Sequence, residues 1–153
     1  MWVKKTFEEM TKQELYSILE LRVRIFVVEQ ECPYQEVDGR DEECLHIWKE
    51  EDGAIQAYCR IVPPDHEHDH YSIGRVLVTK EARGTGAGRE LMDRAISLLR
   101  NEWEVPSIWL HGQEYLRNFY GSFGFQEVSE VYLEDDIPHV DMLMINRVPK
   151  GLN

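Results

Sequence analysis

The chain has 153 residues, 42% of them hydrophobic and 30% charged, and its 29 acidic side chains against 17 Lys and Arg give a net charge of −12. This length suits one domain with a core that needs neither disulfides nor metal, and the apolar fraction excludes a disordered chain. The acidic excess repels nucleic acid and anionic membranes and mildly favours cationic partners.

Near the N-terminus, "TKQE" (Thr11 to Glu14) has the form of a capping box. Leu15, Ile18, Leu19 and Phe26 then mark one face of a helix expected to end near Val28. Pro33 and Gly39 break the polar stretch "EQECPYQEVDGRDEE" into an irregular connection. "LHIWKE" and "AIQAYCRIVPP" read as strands joined through "EDG", a hairpin signal. "DHEHDH" is a loop and "YSIGRVLVTK" a strand rich in β-branched residues. A helix follows with Leu91, Met92, Ala95, Leu98 and Leu99 on one face. "SIWLHG" is a buried-looking strand, "QEYLRNFYGSF" a short amphipathic helix and "GFQEVSEVYLE" another strand. After the turn-forming "DDIPH", "VDMLMINRV" is the last strand. Met92, Met142 and Met144 fall at core spacing. The expected fold is a single α/β domain over residues 1–153, with a mixed, mostly antiparallel central sheet flanked by helices. Its one parallel crossover is expected from Tyr71 to Gly112.

Three cysteines, Cys32, Cys44 and Cys59, form no C-x-x-C pair. They read as reduced, inert thiols of a cytoplasmic protein. The N-terminal "MWVKKTFEEM" has no apolar h-region, and no run approaches membrane-spanning length.

The most informative stretch is "RGTGAGRELM", Arg83 to Met92. Glycine here offers no side chain to pack, so the bare backbone has another use. A glycine turn feeding a helix N-terminus presents N–H groups and the positive end of the helix dipole, which suits a phosphate. The Walker A pattern fails because Arg89 and Glu90 follow Gly88, where Lys and Ser or Thr are required. The dinucleotide pattern fails because Arg89 stands where its third glycine belongs.

Arg83-x-x-Gly86-x-Gly88 after a β-rich strand resembles the R/Q-x-x-G-x-G/A segment of the GNAT superfamily of acyl-CoA-dependent N-acyltransferases. "YLRNFYGSFGF" resembles that superfamily's second motif, with Tyr120 ahead of Gly124 and Phe125. "LRVRIFVVEQECPYQEVDGRD", "IGRVLV", "NFYGSFGF" and "EDDIPHVDM" look like segments of its ElaA-like branch. Gln113 departs from the asparagine, and Leu116 from the alanine, that many members carry there.

The resemblance implies acetyl-CoA as cosubstrate, with no metal, and a central sheet whose strands splay apart. Backbone N–H groups of Arg83, Gly84, Thr85, Gly86, Ala87, Gly88 and Arg89 would cap the pyrophosphate. Val76, Leu77 and Val78 would hold the pantetheine arm as a neighbouring strand would, and one of their N–H groups could stabilise an oxyanion. Gln113 would face the cofactor through its amide. Tyr120 would protonate the departing thiolate. The general base stays open among Glu29, His46, His111, His139 and a relayed water, with Glu29 and His139 first because their segments resemble acceptor-side walls.

"HEHDH", at positions 66–70, has spacing that fits no closed metal site and reads as a solvated loop. The expected activity is transfer of an acetyl group to a primary amine of a small molecule or protein. A non-catalytic acyl-CoA-binding or sensing module is the alternative from another class, and a nucleotide-binding protein using the same turn is a third. The expected partners are acetyl-CoA, an amine acceptor and, in a homodimer, a second copy of the chain; nucleic acid and membrane are not expected.

Overall fold

Eight strands and three α-helices are found in residues 1–66 and 68–146, the residues described in the computed structural model. In chain order they are β1 (Trp2–Thr6), α1 (Lys12–Arg22), β2 (Leu45–Glu51), β3 (Ala54–Val62), β4 (Tyr71–Val78) and α2 (Ala87–Ser97). There follow β5 (Ser107–Gln113), α3 (Arg117–Gly121), β6 (Gln126–Glu127), β7 (Tyr132–Glu134) and β8 (Ile137–Ile145). The strand order is β1-β2-β3-β4-β5-β8-β6, with β7 also paired to β8. β4 and β5 run parallel, whereas β1–β2, β2–β3 and the pairings of β8 are antiparallel. This is the expected α/β architecture with a mixed, mostly antiparallel sheet. The described residues form two compact units, one from Met1–Pro63 and Ile73–Ala95, the other from within Pro64–Ser72 and from Ile96 to Asn146.

In the first unit the capping box forms as expected: Glu14 N–H donates to Thr11 Oγ1 at 3.0 Å, and Thr11 N–H donates to Glu14 Oε1 at 2.8 Å. Together these satisfy two donors that a helix start leaves without an internal partner. α1 continues as a wider π-helical turn, Val23–Glu29, which carries the apolar face on to Ile25 and Phe26. Ile18, Leu21 and Ile25 pack with Trp48, Tyr58 and Leu77 in one apolar cluster. The β2–β3 turn places Asp52 and Gly53 at φ 50° and 78°. Two successive left-handed residues match the twist of a tight hairpin.

In the second unit, β5 and β8 share a buried face: Ile108 pairs with Met144, Leu110 with Met142 and Gly112 with Val140. Met92, Met142 and Met144 are all buried, as their spacing predicts. The single strand expected from "GFQEVSEVYLE" is instead two short ones, β6 and β7, each pairing with a different stretch of β8. β8 starts earlier than expected, at Ile137, directly after left-handed Asp135 and Asp136. Positions 147 and 148 of the expected last strand lie outside the described residues. No helix among the described residues is long and apolar enough to cross a membrane.

Candidate cofactor and acyl-transfer site

In the first unit the glycine turn lies between the end of β4 and the start of α2. Gly84 and Gly86 sit at φ 81° and 89°, a region where a side chain clashes with its own backbone. A Cβ built at either position meets nothing within 4 Å, so the backbone there is uncovered. The turn is closed by Thr85, whose N–H and Oγ1 both donate to Ala82 O, at 3.3 and 2.5 Å. Glu90 N–H donates to Gly86 O at 3.0 Å as the helix ladder begins. Ala87 and Gly88 therefore occupy the first turn of α2, where N–H groups lack an intrahelical acceptor. Arg83, Gly84, Thr85, Gly86 and Arg89 are exposed, while Ala87 is buried and anchors the turn.

The Arg83 side chain reaches back toward the end of β4. Its Nε donates to Val78 O at 3.1 Å and its Nη2 to Glu29 Oε1 at 2.8 Å. Two residues singled out from the sequence, Arg83 of the turn and Glu29 at the end of the π-helical segment, thus form one ion pair, about half exposed. Exposed pairs of this kind contribute roughly 0–1 kcal/mol, so a bound anion can take the place of the Glu29 carboxylate on Arg83 at little cost.

Val76, Leu77 and Val78 lie on β4 with only Leu77 buried. The parallel pairing of β4 with β5 covers two positions, Tyr71 with Ile108 and Ser72 with Trp109. Just ahead of the three residues, Arg75 sits at φ 51°, left-handed in the middle of a strand. Its side chain enters a cluster of opposite charges. Arg22 Nε and Arg75 Nε both donate to Glu36 Oε2 at 2.7 Å, and Arg22 Nη1 donates to Asp41 Oδ1 at 2.6 Å. Arg60 reaches Asp38 Oδ2 at 2.5 Å and Asp41 Oδ1 at 3.0 Å. Tyr34 OH donates to Glu36 Oε1. Burial would push the Asp38 and Asp41 carboxyls up, but the adjacent guanidiniums outweigh it, holding Asp38 well below the usual carboxylate range and lowering Asp41 too.

His46 is fully buried beside this cluster, with Nδ1 2.7 Å from Tyr58 OH and Nε2 3.0 Å from Asp41 O. Both ring nitrogens are engaged inside the core, which removes His46 from the candidate bases. Cys32, Cys44 and Cys59 are buried free thiols. Burial pushes the Cys44 thiol up to about 11 and the Cys59 thiol to about 12, which suits neither for nucleophilic work.

In the second unit, Gln113 ends β5 and is the register partner of His139 on β8, so two of the candidate residues are cross-strand neighbours. Tyr120, on α3, is 5% exposed, and its ring lies against β5 at Gly112. A Cβ at Gly112 would meet Tyr120 Cδ2 and Cε2 at 3.1 Å, so only glycine admits the ring this close. Phe119 meets both Tyr120 and Phe123 edge-on.

His139 Nδ1 lies 2.7 Å from Ile137 O. A carbonyl only accepts, so Nδ1 carries the proton and Nε2 is the basic nitrogen of the neutral ring. His111 Nδ1 sits 2.6 Å from Asp141 Oδ1, which also accepts from Tyr132 OH at 2.6 Å. Burial raises the Tyr132 phenol, and its bond to Asp141 adds to that. His68 and His70 of the "HEHDH" loop form ring contacts with each other, with His111 and with Trp109. No three His, Cys, Asp or Glu side chains among the described residues are arranged to hold a metal ion.

The ionic cluster, the left-handed Arg75 and the Asp141–Tyr132 pair have no signature in the sequence. The cluster draws on residues from Arg22 to Arg75, a separation that leaves no local pattern.

Residues 7–145 match the family model described as "Acetyltransferase (GNAT) domain". The chain is 41% identical to the protein ElaA of Escherichia coli K12 over 145 residues, spanning 92% of this chain and 94% of that one. The solved structure of an acyl-CoA N-acyltransferase from Pseudomonas aeruginosa superposes with a TM-score of 0.87 at 43% identity, covering 94% of this chain and 98% of that one. Escherichia coli ElaA superposes with a TM-score of 0.85 at 38% identity, with the same coverages. A family model over almost the whole chain, together with relatives matching end to end, shows that this chain belongs to the GNAT acetyltransferase family, in the branch that includes ElaA.

Proposed function

We propose that the protein transfers an acetyl group from acetyl-CoA to a primary amine of a small molecule or protein by direct attack. The observation that carries this reading is the turn at Gly84 and Gly86. Its uncovered left-handed backbone runs into the first turn of α2, the form that a pyrophosphate-binding turn takes. Backbone N–H groups from Arg83 to Arg89 would take the pyrophosphate, and the backbone of Val76–Val78 the pantetheine arm, with Gln113 as a further polar contact.

In the reaction, the amine nitrogen attacks the thioester carbon, the C–S bond breaks and the amide C–N bond forms. The amine proton leaves to a base, and a proton is supplied to the thiolate. Tyr120 is assigned the second of these proton transfers, because a phenol, with an ordinary pKa near 10, holds its proton at neutral pH. Glu29 and His139 Nε2 are the candidate bases on the acceptor side.

The burial of Tyr120 favours a second reading, in which its ring serves the core and the protein binds acyl-CoA without turning it over. Thiol release from acetyl-CoA across a panel of amines separates the two. Amine-dependent release is expected; tight coenzyme A binding with no release under any amine would favour the binding module. Thermal shift with coenzyme A against ATP tests the nucleotide alternative.

A further inference from the structure

We infer that Arg75 is a positioning residue: Glu36 and Asp38 hold its guanidinium and so keep β4 in the left-handed kink that sets the backbone of Val76–Val78 for the acyl-CoA arm. The inference rests on the proposed role of that backbone in holding acyl-CoA. A non-glycine residue at φ 51° within a strand is strained, and such a residue persists only when its surroundings over-determine it. Here the surroundings are identifiable. Arg75 Nε donates to Glu36 Oε2 at 2.7 Å, and its Nη2 reaches Glu36 O at 3.4 Å and Asp38 Oδ2 at 3.3 Å. The guanidinium also lies 5.9 Å from the centre of the Tyr34 ring.

Neither acid is free to follow Arg75 if β4 straightens. Glu36 is buried and shared with Arg22 and Tyr34, and Asp38 is gripped at both oxygens by Arg60, at 2.9 and 2.5 Å. Asp41 closes the set by accepting from Arg22 and Arg60. The three guanidiniums balance three carboxylates, so the charge is neutralised locally. A buried ionic set is weak evidence for stability, because apolar residues often replace one without loss. What it supplies is direction: planar guanidiniums fixed by carboxylates allow few geometries. Arg75, 22% exposed, is the member whose own backbone is strained.

Glycine adopts φ 51° freely, whereas alanine carries there the same backbone cost as arginine with no side chain to hold it in place. Arg75→Ala and Arg75→Gly lose the same ion pairs, so they separate backbone positioning from charge. Coenzyme A affinity is measured by calorimetry on the wild type, Arg75→Ala, Arg75→Gly, Asp38→Asn and Asp38→Asn in the Arg75→Gly background. Arg75→Ala is expected to weaken binding about tenfold, the size of one strained residue's relaxation, and Arg75→Gly to remain within about threefold of wild type. Asp38→Asn, at the exposed rim, is expected to cost about threefold alone and nothing further in the Arg75→Gly background. Melting temperatures should fall alike in the two Arg75 variants. Equal loss of affinity in those variants, or no loss in either, would overturn the inference. If an Arg75 variant does not fold, an Asp38→Asn protein with unchanged affinity would overturn it equally. Failure of the wild type to bind coenzyme A at all would instead sink the acyl-CoA reading on which it stands.

Discussion

The glycine turn ahead of α2 and the aromatic helix α3 are built in opposite ways. The turn presents backbone: Gly84 and Gly86 are left-handed, exposed and uncovered, and the small hydroxyl of Thr85 closes it. α3 presents a side chain held by packing, with the Tyr120 ring against Gly112 and Phe119. A backbone site is lost when anything fills it. A packed side chain can instead be divided, with the ring kept for the fold and the hydroxyl removed. The two regions should therefore fail differently, the first in binding and the second in turnover.

The largest effect is expected at the turn. Gly86→Leu forces a branched side chain into φ 89° and places it where the phosphates would lie. Coenzyme A affinity should fall by more than about 100-fold, with a stability loss of roughly 1–2 kcal/mol from the backbone strain. A folded Gly86→Leu protein with wild-type affinity in calorimetry would break the backbone half of the comparison.

Tyr120→Phe should behave in the opposite way. We expect kcat to fall about 100-fold, as for loss of one acid–base partner, with coenzyme A binding and melting temperature little changed. Gly112→Ala sharpens this: its methyl group would meet the Tyr120 ring at 3.1 Å and Leu110 at 3.2 Å. It should lower kcat about tenfold and stability by roughly 1–3 kcal/mol, yet cost no further kcat in the Tyr120→Phe background. Unchanged single-turnover rates in Tyr120→Phe would return the residue to the core.

Smaller effects are expected on the acceptor side. Glu29→Gln and His139→Ala should each raise the KM for the amine severalfold, roughly 3–10-fold, while coenzyme A affinity stays nearly intact. Loss of cofactor affinity in Glu29→Gln would mean that its bond to Arg83 holds the turn in shape. In that case Glu29 belongs to the backbone region.

The smallest effect concerns pH and guards against misreading the others. Burial lowers the pKa of His46, so below about 6.5 the unfolded chain takes up a proton that the folded one refuses. Its contribution to stability is present above that pH and is lost as pH falls, by up to about 1.4 kcal/mol per pH unit. His70 shifts the same way, again chiefly through burial. Between pH 7.5 and 5.5 the wild type should lose more stability than His46→Gln does, although the variant starts lower. Parallel losses would assign the pH dependence elsewhere.

Much of the fold is legible in order along the chain because the signals are local. The Thr11–Glu14 box, the Asp52–Gly53 turn and the glycines before α2 each specify a backbone shape within four or five residues. β1 is not legible, since "WVKKT" is short and polar and becomes a strand only by pairing with β2 along Leu45–Lys49. β6 and β7 read as one strand for a similar reason: the residues between them have ordinary strand composition, and only their separate registers on β8 show the break.

The amino-acid sequence by itself determined the turn, the helix that follows it and the alternation of β5 and β8, because periodicity and glycine act through neighbours in the chain. Only the tertiary structure decided that Arg22, Arg60 and Arg75 share Glu36, Asp38 and Asp41, and that Glu29 holds Arg83. A charge carries no period and reaches whichever partner folding brings within a few ångströms. Its role is therefore set by residues tens of positions away.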